Sequence, residues 1–140
     1  MKFGAAAFVR DLEGRILLFR RTYGPLNWAF PGGFGEPGET PAETAVRELR
    51  GETGLHGIAR RAGGPYLEDE EDLGHFVIER QVPFPWDLRP DGREISEART
   101  LDTRALPRPI WDFTVRRTRD ALVAGPDRGP FRDPPRKLWA

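Results

Sequence analysis

Glu48 and Glu52 are the residues of this 140-residue chain whose type and spacing could do chemistry. Glutamates four apart on a helix share one face, about one turn from each other. Carboxylates so placed suit a hard divalent cation such as Mg²⁺ or Mn²⁺, which takes oxygen ligands. Such a cation neutralises phosphate oxygens and activates water against them. Glu52 falls in the last turn of the expected helix, where the helix dipole is negative. A carboxylate there costs about 0.3–1 kcal/mol unless a positive charge is near. A bound cation would remove that cost. A solvent-exposed glutamate beside Arg47 or Arg50 is the other reading, and the spacing alone leaves both open.

Other hydrolytic chemistries are poorly provided for. The chain has no cysteine, which excludes disulfides, thiol catalysis and cysteine-ligated zinc and is compatible with a cytoplasmic location. Its histidines are His56 and His75, and its one serine, Ser96, lies in E-I-S-E with no G-x-S-x-G around it. Basic and acidic residues balance at 22 each, which gives no strong nucleic-acid signal. The apolar run Phe3 to Val9 is too short to span a bilayer.

The elements that must position Glu48 and Glu52 are legible around them. Phe3 to Arg10 and Arg15 to Arg21 read as strands joined by a turn at Asp11 to Gly14. The run Ile16 to Phe19 suits a strand buried on both faces. A Gly/Pro-rich loop follows from Tyr23 to Glu39. Thr40 then fits a helix N-cap, Pro41 the first helical position, and Glu43 the reciprocal member of a capping box. Ala42, Ala45, Val46 and Leu49 form an apolar stripe, and Gly54 is placed to end the helix in a left-handed conformation. Further strands are expected over Gly57 to Leu67, His75 to Val82 and Glu94 to Leu101, with a last helix from Ile110 to Ala124. The acidic run Glu68 to Asp72 and the stretch Pro83 to Trp86 read as loops. Residues 125–140 read as a Pro/Arg-rich tail, packed on the domain or on the mate in a homodimer, with Trp139 as its docking residue.

The stretch Gly33 to Leu55 resembles the Nudix box, G-x5-E-x7-R-E-U-x-E-E-x-G-U with U aliphatic. Every fixed position matches except the first glutamate of the late pair, which is Gly51 here. I-L-L-F-R-R and W-A-F-P-G-G upstream, and E-I-S-E-A-R-T-L-D-T-R-A-L-P downstream, look like the family's flanking segments. The resemblance implies an α/β domain over residues 1–124, an α/β/α sandwich with a mixed central sheet. It implies hydrolysis of a phosphoanhydride bond in a nucleoside diphosphate linked to another group, with Mg²⁺ or Mn²⁺ as cofactor and a small nucleotide as partner. Glu48 and Glu52 would be catalytic and metal-binding, and the Gly32 carbonyl would add a ligand. Glu39 and Arg47 would pair to support the loop, with Gly33 beside them. Gly51 removes one carboxylate from this set. Glu36, Glu94 or Glu97 could replace it, with Glu97 the choice carried forward; Glu94 and Glu97 are three apart and on a strand would face opposite sides. Fewer ligands could hold Mg²⁺, or the domain could bind a nucleotide without cleaving it. For the substrate, Trp28 or Phe34 could stack on a base, and Arg20 or its neighbour Arg21 could reach phosphate with a fork of donors. Arg20 is carried forward. Trp28 could equally anchor its loop to the core.

Overall fold

The computed structural model describes residues 2–67, 74–82, 86–90, 92–123 and 130–140. The acidic run 68–72, the loop residues 83–85 and the junction 124–129, each read above from the sequence, lie outside the described residues. The fold is α/β with a mixed sheet between two helices. Its centre is β1 (Phe3–Arg10), antiparallel to β2 (Ile16–Arg21) and parallel to β6 (Gly74–Gln81). Outward from β2 lie β7 (Ile95–Leu101) and β3 (Trp28–Ala29); outward from β6 lies β5 (Ile58–Leu67). A short strand, β4 (Gly32–Phe34), also pairs with β1. The loop expected from Tyr23 to Glu39 therefore contains two strands. Gly32 fits against β1 because a Cβ there would meet the Ala5 carbonyl at 2.6 Å.

Strand alternation divides the core into two layers. Ala5, Ala7, Val9 and Leu17 pack with Ala45 and Leu49 of α1 (Pro41–Thr53) on one side. Phe8, Ile16 and Leu18 pack with Trp28, Ile110 and Val115 on the other, the side of α2 (Asp112–Val123). Helix α1 begins and ends where its sequence dictates. The Thr40 hydroxyl accepts from the Glu43 N–H, Glu43 accepts in return, and Gly54 closes the helix at φ +81°.

The last helix starts two residues later than the sequence suggests. Ile110–Trp111 form β8, parallel to β3, and the Trp28 N–H donates to the Pro109 carbonyl at 2.9 Å. The tail supplies β9 (Phe131–Arg132), parallel to β5, and β10 (Leu138–Trp139), antiparallel to β8. One short segment thus covers both edges of the sheet, where unpaired N–H and C=O groups would otherwise be exposed. Asp133 fixes it. Its carboxylate is buried and accepts from Arg117 at 2.6 Å and Arg116 at 3.3 Å. Removing one partner of a buried ion pair leaves the other charge uncompensated. Asp133→Ala is therefore expected to destabilise the fold by about 3–5 kcal/mol, read as a lower urea midpoint at unchanged slope.

Candidate active site

Glu48 and Glu52 lie on the face of α1 that looks toward β4. The Glu52 side chain is buried at 5% exposure, and its Oε1 accepts from the Gly32 N–H at 2.9 Å. Glu48 lies near enough for its charge to act on Glu52, and is paired with Arg47 Nη1 at 2.8 Å. Gly33 closes over the Glu48 carboxylate so tightly that a Cβ there would meet Glu48 Oε1 at 2.5 Å. The two carboxylates are therefore brought together, as their spacing allows. The solvated-glutamate reading does not hold for Glu52. What the structure shows of Gly32 is its N–H, which orients Glu52.

The electrostatics follow from this enclosure. Burial, and after it the charge of Glu48, push the Glu52 carboxyl up to about 8. The Gly32 N–H and the charge of Arg21 act against the rise. Glu39 is the opposite case: the Arg47 hydrogen bond is the largest influence holding its carboxyl down to about 2.

Arg47 ties the loop to the helix. Its Nε donates to Glu39 at 2.8 Å, and its Nη2 donates to the Phe34 carbonyl at 3.0 Å. Glu39 also accepts from the Glu36 N–H at 2.8 Å and the Thr44 hydroxyl at 2.9 Å. The planar fork serves three partners at once, which an ammonium group cannot reproduce. Arg47→Lys is expected to lower turnover about 10–100-fold, the usual effect of removing a group that orients metal-binding residues. Steady-state kinetics at saturating Mg²⁺ would check this.

The downstream and substrate candidates are sorted by strand faces. Glu97 pairs in register with Arg20, and its neighbour Ala98 packs into the α1 layer. Glu97 consequently projects to the opposite face, where it meets Arg99 at 2.6 Å. It does not join Glu48 and Glu52. Among the described residues, no three acidic or histidine side chains gather in a metal-holding group. Arg20 also faces away and donates to the Leu26 carbonyl at 2.9 Å. Its neighbour Arg21 is the arginine on the carboxylate side, with its guanidinium 5.3 Å from the centre of the Phe19 ring. Alternation along β2 decides this: Arg21 shares the face of Leu17, which packs on α1, and Arg20 shares the face of Ile16 and Leu18. Trp28 is 2% exposed, with Arg99 5.1 Å from its ring centre, so it anchors the loop and presents no open face for a base. Phe34 is 68% exposed at the end of β4.

The donor set fits a hard divalent cation in its chemistry. Two neighbouring carboxylates, one of them buried with a raised pKa, form a site that a positive charge would relieve, and Mg²⁺ readily keeps several waters as its remaining ligands. Position 51 adds no oxygen, and the space there is open: a Cβ at Gly51 would meet nothing within 4 Å.

Comparison with known proteins places the chain in a family. An ADP-ribose pyrophosphatase of Methanocaldococcus jannaschii is 34% identical over 108 residues, which is 73% of this chain and 63% of that protein. The Xenopus laevis protein called nucleoside diphosphate-linked moiety X motif 6 is 40% identical over 110 residues, 73% of this chain and 50% of that protein. The chain thus spans less than two thirds of the length of these relatives. The crystal structure of a NUDIX hydrolase from Nitrosomonas europaea superposes with a TM-score of 0.76 at 20% identity, over 94% of this chain and 78% of the other. The NUDIX domain profile matches residues 2–121, a span that holds the loop, the helix and both carboxylates, and the chain belongs to that family.

Proposed function

We propose that the chain hydrolyses a phosphoanhydride bond in a nucleoside diphosphate linked to a second group, using a divalent cation held by Glu48 and Glu52. The observation that carries this reading is the buried Glu52 carboxylate, set beside Glu48 on one face of α1 and oriented by the Gly32 N–H. When bound, Mg²⁺ or Mn²⁺ would neutralise the phosphate oxygens and make water a better nucleophile. The protein's own groups do the rest. Gly33 and Arg47 hold Glu48 in place. The Glu52 oxygen not engaged by Gly32 is the acceptor for the proton of the attacking water. Arg21 reaches toward the same face to take phosphate charge, and the exposed Phe34 ring offers a stacking surface for the base. Residues 1–124 form the catalytic body, and the tail closes its sheet. The names of the relatives put ADP-ribose and other nucleoside diphosphate derivatives first among substrates to try.

A second reading rests on Gly51. With no third carboxylate gathered among the described residues, the same site could bind a nucleotide without turning it over. One assay separates the two. The purified protein is offered nucleoside triphosphates, sugar nucleotides, ADP-ribose, dinucleotides and dinucleoside polyphosphates, with Mg²⁺, with Mn²⁺ and with chelator. Release of two phosphorylated fragments, abolished by chelator, is the expected outcome. Saturable binding with no product from any member would establish the second reading.

A further inference from the structure

A cavity of about 270 Å³ opens between the 103–108 loop, α2 and the C-terminal strand. Its apolar floor is made by Leu106, Ile110 and Val115, and Trp139 forms one wall. Ile110 and Val115 belong to the α2 layer of the core, so the cavity lies across the sheet from Glu48 and Glu52. Three arginines line it, and they are not equivalent. Arg104 is committed to Asp102 at 2.7 Å. Arg108 and Arg119 have no carboxylate partner among the described residues. The Arg108 guanidinium lies 5.5 Å from the centre of the Trp139 ring.

We propose that this cavity is a second, metal-independent binding site for a nucleoside 5′-monophosphate. Two guanidinium groups at one opening, neither with a carboxylate partner among the described residues, suit a dianion better than a single carboxylate. Their planar forks match phosphate oxygens. The apolar floor suits a flat ring, and the Trp139 indole holds the Arg108 guanidinium at the opening. The volume lies just below the roughly 300–1,000 Å³ range of ligand pockets, which favours one nucleoside over a dinucleotide. Neither Glu48 nor Glu52 lines the cavity, so binding there is independent of the proposed hydrolysis.

The test is equilibrium binding by calorimetry in excess chelator. The probes are the adenosine, guanosine, cytidine and uridine 5′-monophosphates, with inorganic phosphate and adenosine as the two halves. Saturable binding of at least one monophosphate to the wild type is expected, with either half weaker. The double change Arg108→Ala and Arg119→Ala should weaken it at least tenfold, and Glu52→Gln should leave it unchanged. Both arginines are exposed, so the variant should melt normally. Arg119→Glu alone, a charge reversal on the solvent side of α2, repeats the test should the double variant fold poorly. No binding at millimolar monophosphate, or binding indifferent to these arginines, would overturn the proposal. Binding lost in Glu52→Gln and kept in the arginine variants would assign the ligand to the carboxylate site instead.

Discussion

Glu52→Gln is expected to cut metal-dependent turnover about 10²–10⁴-fold, the range for removing a positioned proton acceptor, and at the same time to stabilise the metal-free protein. The two effects have one cause. Glu52 is buried beside another carboxylate, so its folded-state pKa of about 8 lies above the ordinary value of 4.5. An acid with a raised folded pKa contributes most stability where it is protonated. That contribution is complete below about pH 4.5 and is lost as pH rises toward 8. In chelator, the wild type should lose on the order of a few kcal/mol across this window on account of Glu52. Glutamine keeps the shape and the bond from the Gly32 N–H but carries no charge, so the variant should show a flatter profile. Saturating Mg²⁺ should flatten the wild-type profile too, since a cation replaces the proton as partner of the carboxylate. Thermal melts from pH 5 to 8.5, with and without Mg²⁺, would show this. Parallel profiles for wild type and variant in chelator would mean that Glu52 is not held as described.

Gly51→Glu should have the second-largest effect, and in the opposite direction. Position 51 lies in α1, one residue before Glu52, and has open space where a side chain would go. Replacing a helical glycine removes a penalty of roughly 1 kcal/mol. The new carboxylate also supplies the oxygen missing from the family pattern. Gly51→Ala separates these contributions. Alanine should raise the melting temperature and leave metal affinity unchanged. Glutamate should tighten Mg²⁺ or Mn²⁺ binding about tenfold and raise turnover at limiting metal. Metal titration of the three proteins by calorimetry reads the difference directly. Equal affinities in all three would show that position 51 does not face the metal, and the reading of the mismatch would then need revision.

The box was legible because its signals are local. Thr40, Pro41, Glu43 and Gly54 specify where α1 starts and stops through bonds within a few residues of one another. The i, i+4 spacing then places Glu48 and Glu52 together whatever surrounds them. Burial of Glu52 is a different matter, since it depends on β4 approaching across the sheet through Gly32 and Gly33. Strand faces were harder still. Alternation along β2 separates Arg20 from Arg21, but only the packing of α1 against Leu17 tells which of the two looks toward the carboxylates. Glu97 is turned away because it pairs with Arg20, which no spacing within its own segment reveals. The short strands β3, β8, β9 and β10 have two residues each and carry no periodicity. They exist because distant backbone partners happen to lie alongside, which is long-range information. Trp28 illustrates both sides. Its identity marks it as an anchor or a stacking face, and only the packing of Ile110 and Arg99 around it settles that it is an anchor.

The measurement that bears most directly on the central claim is turnover of the best substrate by wild type and Glu52→Gln, side by side in Mg²⁺. Two phosphorylated products are expected from the wild type, none in chelator, and a rate at least a hundredfold lower in the variant. Equal rates in the two proteins would contradict the claim.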